Sequence, residues 1–311
     1  MKLVIQIPCY NEEATLATTL QALPKKINGI DEIEVLIIND GSTDKTIDVA
    51  KENGVNHIVS FSKNKGLAKA FCLGLSSALD LGADIIVNTD ADNQYCADDI
   101  EKIVSPILNG EADMVVGARD VLKIKEFSFV KKSLQKLGSF VMKLLSSTEV
   151  EDSPSGFRAF SKDVAIRLNV FDNYTYTLET IIQAGAKGFN IKSVPIRVNK
   201  DLRKSRLVKN NFDYIRRSMF TMIRMFILYR PFRFFAILSS VIFSLGLILG
   251  LRFLYYYMTG FGHGHVQSVV LSAVLLLVGV QLAIFAVLAD LLSANRRLLE
   301  DIQARLKIKN L

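Results

Sequence analysis

Asp84–Tyr95 reads DIIVNTDADNQY: a short apolar run that ends in two acids two residues apart, flanked by amides. An apolar run of this length bounded by polar loop residues is the signature of a strand buried on both faces. Two carboxylates at its end are either the polar cap of that strand or a place for a hard divalent cation, which takes one or two protein carboxylates and fills its remaining positions with water and phosphate oxygens. The surrounding sequence decides between the two.

Upstream and downstream, the same pattern recurs. Lys2–Ile7, Glu34–Ile38, Asn56–Phe61 and Ala112–Val116 read as further strands. Leu16, Leu20 and Leu23 fall on one helical face, and Ser42-Thr43-Asp44 offers capping chemistry for a helix to about Asn53. Such alternation predicts an α/β domain with a mainly parallel sheet, whose ligands sit at the carboxyl ends of the strands. Pro8-Cys9-Tyr10-Asn11-Glu12 follows the first strand, Asn39–Asp44 the second, Asn64-Lys65-Gly66 the third and Thr89–Gln94 the fourth. All four motifs therefore open on one edge of the sheet. Beyond them the sequence predicts a helix around Val130–Ser146, a loop at Asp152–Arg158 (DSPSGFR), a helix at Tyr176–Ala186 and a strand at Phe189–Val198.

Each motif has a functional and a plain reading. Asp40 and Glu12 can hold a base and ribose, or cap helices. Lys65 and Gly66 can bring a cation and a backbone amide to phosphate, or form an ordinary turn. Arg119, Arg158, Arg203 and Arg206 can grip phosphate in bidentate fashion, or sit as solvated charges. Gln94 can add a neutral oxygen to Asp90 and Asp92.

Half of the 311 residues are hydrophobic. The excess lies in Phe234–Leu251 and Ser268–Ala289, each near the length needed to cross a hydrocarbon core of ~30 Å. The two runs predict a transmembrane hairpin, and neither lies at the N-terminus where a signal peptide would. Residues 200–311 carry 16 Lys+Arg against 5 Asp+Glu, whereas residues 1–199 carry 22 against 26. The positive charge flanks the two runs, which places both flanks and the N-terminal domain in the cytoplasm and favours anionic lipid headgroups over nucleic acid as the basic partner. Residues 210–229 have the pattern of a basic amphipathic helix in the membrane interface. The Gly260–His265 stretch resembles a phosphate loop but reads as the turn of the hairpin. Cys9, Cys72 and Cys96 have no zinc or redox spacing and read as reduced thiols.

Taken together, Pro8-x-Tyr10-Asn11-Glu12, Asp40–Asp44, Asn64-Lys65-Gly66 and Asp90-Ala91-Asp92-Asn93-Gln94 resemble the family 2 glycosyltransferases of GT-A fold. Gly117-Ala118-Arg119 and Ser155-Gly156-Phe157-Arg158 are similar to the dolichol-phosphate mannose synthase branch, and the two spans to its membrane-anchored polyisoprenyl-phosphate glycosyltransferases. The resemblance implies a GT-A catalytic domain over residues 1–208, an interfacial helix over 209–231, a hairpin over 232–292 (spans 232–257 and 267–290) and a basic cytosolic helix over 293–311. It implies that Pro8, Tyr10, Asn11, Glu12, Asp40, Lys65, Gly66, Asp90 and Ala91 bind a nucleotide sugar, and that Asp90, Asp92 and Gln94 hold Mg²⁺ or Mn²⁺. Arg119, Arg158, Arg203 and Arg206 would meet the acceptor phosphate, and Asp92, Asp152, Arg119 and Arg158 would serve the chemistry. Cys9 stands where Val is frequent, and Lys200–Arg206 lacks a glycine common in that loop. The implied reaction is inverting transfer of a sugar to a polyisoprenyl phosphate at the cytoplasmic face of the cell membrane, with UDP-glucose preferred to GDP-mannose. The implied assembly is a homo-oligomer, by resemblance a tetramer. The alternatives are another lipid acceptor, or a non-catalytic scaffold or flippase component.

Overall fold

The structure is a computed structural model that describes residues 1–119, 150–170, 176–199, 220, 223–224, 226–260 and 266–310. The expected helix at 130–146, most of the amphipathic helix at 209–231, the turn histidines and Arg203 and Arg206 lie outside the described residues. The chain divides into two compact units, Met1–Met222 with Gln303–Leu311, and Ile223–Ile302.

Among the described residues of the first unit, seven strands form one sheet: β1 (Lys2–Cys9), β2 (Glu32–Asn39), β3 (His57–Ser60), β4 (Ile85–Asn88), β5 (Met114–Arg119), β6 (Arg158–Ser161) and β7 (Ile191–Ile196), in the order β3-β2-β1-β4-β6-β5-β7. β1 pairs in parallel with β2 and β4, and β2 with β3. All four residues of β4 are buried, as a strand covered on both faces must be. Leu3, Ile5 and Ile7 point to one face, against Leu16 of α1 (Leu16–Ala22) and Ile100, Ile103 and Val104 of α4 (Ile100–Leu108). The alternate residues face α3 (Leu67–Asp80), where Gly74 comes so close to Gln6 that a Cβ there would lie 2.4 Å from its Oε1. α2 (Thr46–Glu52) follows β2, as the Ser-Thr-Asp motif predicts.

β6 is the departure. The sequence reads Asp152–Arg158 as loop, but Arg158 opens a strand that runs antiparallel between β4 and β5. A charged first residue hides a four-residue strand from any hydrophobic pattern. The antiparallel direction has a consequence for the site: the loop before β6 comes to the same edge as the ends of β1–β5 and β7. Two helices follow, α5 (Lys162–Arg167) and α6 (Thr177–Ala186), the second as expected.

The second unit is a helical hairpin of α7 (Pro231–Met258) and the membrane-length part of α8 (Val266–Asn310). Both helices are long and apolar enough to cross a membrane. Ser239 and Gly246 lie seven residues apart on α7, and Ser272 and Gly279 seven apart on α8. Ser239 donates to the Gly279 carbonyl at 2.8 Å and Ser272 to the Gly246 carbonyl at 2.7 Å. A Cβ at Gly279 would stand 3.0 Å from the Phe243 Cα, so small residues set the helix approach. The basic C-terminal helix read over 293–311 continues the second apolar run as one helix to Asn310, and no glycine or proline follows Gly279 within it.

Candidate active site

The motifs after β1, β2 and β3 are knitted to one another. Asp40 is buried, and its two carboxylate oxygens accept from the backbone N–H of Lys65 at 2.7 Å and of Gly66 at 2.9 Å. Its first task is thus to shape the Asn-Lys-Gly turn; a carboxylate has lone pairs left for a further donor. Gly41 allows this closeness. Its φ is +69°, and a Cβ there would lie 2.5 Å from the Lys63 carbonyl carbon. Asn11, also at positive φ, donates from its backbone to Ser42 Oγ at 3.0 Å and accepts from Thr43 N–H at 2.8 Å. Glu12 N–H donates to Thr46 Oγ1, and its carboxylate accepts from Thr15 Oγ1 at 3.0 Å. Asp44 is partly buried, yet hydrogen bonds from Thr46 and from Glu13 N–H hold it below the usual carboxylate range. Pro8 is buried within β1, whereas Tyr10 is exposed and the Lys65 ammonium stands 4.4 Å from the Phe61 ring centre. Gly41→Ala should push the Lys63–Asn64 backbone off Asp40, adding at least about 1–2 kcal/mol of left-handed strain to the clash; a lowered melting temperature is the readout.

The acids after β4 rest on a buried polar floor. Gly156 lies directly behind Asp90, where a Cβ would come within 3.2 Å of both carboxylate oxygens and 3.0 Å of Tyr176 Oη. Gly156 N–H donates to Tyr95 Oη at 3.1 Å, and its carbonyl accepts from Asn88 Nδ2 at 2.9 Å. The same Asn88 amide reaches Tyr176 Oη, while Gln6 donates to Asn88 Oδ1 at 2.8 Å. Burial raises both phenols well above their ordinary values, and the Asp90 charge raises them further, so Tyr95 and Tyr176 stay neutral. Asp92 accepts from Gln94 N–H at 3.2 Å. Ala91 is buried, its carbonyl taken by Thr19 Oγ1. Among the described residues no group of three or more His, Cys, Asp or Glu side chains could hold a metal ion. The donor set is two partly exposed carboxylates with an amide nearby, all oxygen, which suits Mg²⁺ or Mn²⁺ shared with a phosphate.

Two of the expected arginines differ sharply. Arg119, at the end of β5, is clasped by Asp152: Nε donates to Oδ2 at 2.7 Å and Nη2 to Oδ1 at 3.1 Å, and the backbone N–H adds a third bond. Burial opposes the Arg119 charge, but Asp152 more than offsets this and holds its pKa above the ordinary value. Arg119 stays partly exposed at the edge, whereas Asp152 is enclosed. Arg158 is wholly buried. Its guanidinium donates to the carbonyls of Ser153, Ser155 and Thr177 at 2.6–2.7 Å and to Thr180 Oγ1 at 2.6 Å. Burial pushes it down to about 10, against the attraction of Tyr176, Tyr95, Asp152 and Asp90. The sequence puts Arg158 on a phosphate; the structure encloses it beneath the Ser153–Gly156 loop, where it fastens that loop to α6. Asn88, Tyr95 and Tyr176 form the buried polar floor, and the motifs do not flag them. The only hint was an amide, Asn88, closing an otherwise apolar strand.

Residues 4–168 match the family model described as "Glycosyl transferase family 2". The chain belongs to this family. Among relatives of this glycosyltransferase, a UDP-N-acetylglucosamine–dolichyl-phosphate N-acetylglucosaminyltransferase of Methanococcus voltae is 36% identical over 61% of this chain and 83% of its own. An undecaprenyl-phosphate mannosyltransferase of Micrococcus luteus is 27% identical over 67% and 88%. The glucosyl-3-phosphoglycerate synthase of Mycobacterium tuberculosis, solved with Mn²⁺, UDP and glucosyl-3-phosphoglycerate, superposes with a TM-score of 0.55 at 19% identity, covering 73% of this chain and 78% of that one. The GT-A-type α/β fold expected from the sequence is the fold of this glycosyltransferase.

Proposed function

We propose that this glycosyltransferase moves a sugar from a nucleoside-diphosphate donor to the phosphate of a polyisoprenyl lipid, with inversion at the anomeric carbon. The observation that carries the reading is the meeting, at one sheet edge, of Asp90 and Asp92 with the Arg119–Asp152 pair, in a chain that also has two helices of membrane-crossing length. The names of the two relatives support the lipid phosphate as acceptor.

In this reading Asp40, Glu12 and the Asn-Lys-Gly turn hold the nucleoside, and Asp90 and Asp92, with Gln94, hold the diphosphate through Mg²⁺ or Mn²⁺. That cation supplies charge stabilisation for the leaving diphosphate. A lipid phosphate oxygen attacks the anomeric carbon as the carbon–oxygen bond to the diphosphate breaks, and the electron pair leaves with the nucleoside diphosphate. Phosphate monoesters have a second pKa of ~6, so the attacking group is anionic at neutral pH and needs no strong base. Asp152 is therefore assigned to orienting Arg119, whose exposed side meets the acceptor phosphate together with Arg203 and Arg206. Holding the site over a membrane surface, with both basic flanks cytoplasmic and the chain in a homo-oligomer, brings the lipid headgroup to the donor.

A uridine nucleotide is favoured by the Methanococcus relative, with UDP-glucose and UDP-N-acetylglucosamine the sugars to try before GDP-mannose. The test is the purified full chain with polyprenyl phosphate and each donor, with and without EDTA. Consumption of one donor, abolished by EDTA and restored by Mg²⁺ or Mn²⁺, is the expected result. No consumption of any donor would leave the scaffold reading in its place.

A further inference from the structure

Behind the loop of Asp90–Gln94 lies a stretch of chain from the far end of the domain. After β7, Val198 forms an isolated antiparallel bridge with Tyr95, and Cys96 N–H donates to the Arg197 carbonyl at 3.2 Å. Arg197 is anchored in turn: its backbone N–H and guanidinium both bind the enclosed carboxylate of Asp99. The next contact is made by Asn199. Its backbone N–H donates to the Gln94 carbonyl at 2.8 Å. Its side-chain amide points at three oxygens, the Asn93 carbonyl at 3.0 Å, the Tyr95 carbonyl at 3.2 Å and Asn93 Oδ1 at 3.4 Å. Three oxygens facing one amide fix its orientation, because only the NH₂ side can face them.

The loop gripped in this way turns through a left-handed residue. Asn93 has φ +57°, a conformation that asparagine adopts more readily than other residues with a Cβ. Both acids are tied to the grip, Asp92 through one residue and Asp90 through two. Asp92 is bonded to the backbone of Gln94, whose carbonyl Asn199 holds. Asp90 is backed by Gly156, which hangs from the hydroxyl of Tyr95, whose carbonyl Asn199 also holds. From the residue after Asn199 the sequence enters the basic run Lys200–Arg206.

We propose that Asn199 is a positioning residue of the transfer reaction, setting the Asp90–Gln94 loop for its diphosphate. The proposal rests on the reading of Asp90 and Asp92 as the metal–diphosphate group. It adds that loosening Asn199 weakens donor binding through that loop.

The test uses the full-length protein in detergent. Asn199→Asp keeps the shape, removes both N–H donors and sets a negative charge against three oxygens. Asn199→Ala removes the group without adding charge, and Asn199→His restores one N–H at similar reach. Binding of UDP with Mn²⁺ is measured by calorimetry, the KM values for donor sugar and polyprenyl phosphate and kcat by turnover, and folding by thermal melting. Asn199→Asp and Asn199→Ala should bind Mn²⁺ and UDP about tenfold more weakly and raise the KM for donor sugar severalfold, more than that for polyprenyl phosphate, with Asn199→His intermediate. If the folded variants keep the donor KM and the UDP affinity within twofold of the parent, the proposal is wrong, even if the melting temperature falls. Should Asn199→Asp fail to fold, the Ala and His variants decide it. Asp92→Asn is the control: if it binds Mn²⁺ and UDP like the parent, the failure lies with the reading of Asp92 and not with Asn199.

Discussion

Asp92→Asn should lower sugar transfer by about 10²–10³-fold, the range found when one preorganised group that stabilises transition-state charge is removed. The substitution is nearly isosteric, and Asp92 lies partly exposed at the mouth, so the fold should tolerate it. Its bond from Gln94 N–H can persist, because the amide oxygen of asparagine still accepts. What goes is negative charge towards a cation. The loss should therefore be partly recovered by raising Mn²⁺ concentration, with the apparent metal affinity weakened and the melting temperature of the metal-free protein unchanged. Full activity in Asp92→Asn would remove the metal role assigned to it.

Arg158→Ala should be strongly destabilising. It takes the guanidinium donor from the Ser153 and Ser155 carbonyls and from the Thr180 hydroxyl in a place without access to water, while the Thr177 carbonyl keeps a bond from Thr180 Oγ1. An unsatisfied buried acceptor costs about 1–3 kcal/mol, and the emptied volume adds to this. A total of roughly 4 kcal/mol would lower the melting temperature by about 10 °C in a domain of this size. Arg158→Lys should rescue little, since a single ammonium on a shorter stem cannot reach acceptors on both the loop and α6. Scanning fluorimetry separates this from a phosphate-binding role. If Arg158→Lys melts like the parent and loses only affinity for the lipid phosphate, the arginine is a ligand after all.

These two residues mark where sequence reasoning succeeds and where it stops. The parallel strands were legible because each apolar run is bounded by a polar motif, and because all four motifs had to share one edge once the sheet was parallel. The acids Asp90 and Asp92 and the turn at Lys65–Gly66 stand where that logic puts them. Arg158 carried the same chemical label as Arg119, and nothing in its neighbours told a buried tie from an exposed ligand. That distinction is tertiary, set by an antiparallel strand too short and too polar at its start to leave a pattern. Asn199 was invisible for a related reason: an asparagine near a strand end has many local uses, and its actual partners lie about a hundred residues earlier in the chain. The continuity of α8 is not legible, because a change from apolar to charged composition looks like a boundary, although the backbone has no reason to stop there.

The backward run of β6 also bears on how such an enzyme can diversify. Because β5 ends at the working edge and the chain before β6 returns to it, Arg119 and Asp152 meet there like the two halves of a clasp. Strand ends clasped in that manner keep their register whatever sequence joins them. Sequence change can then accumulate between the two strands while the sheet itself is inherited unchanged.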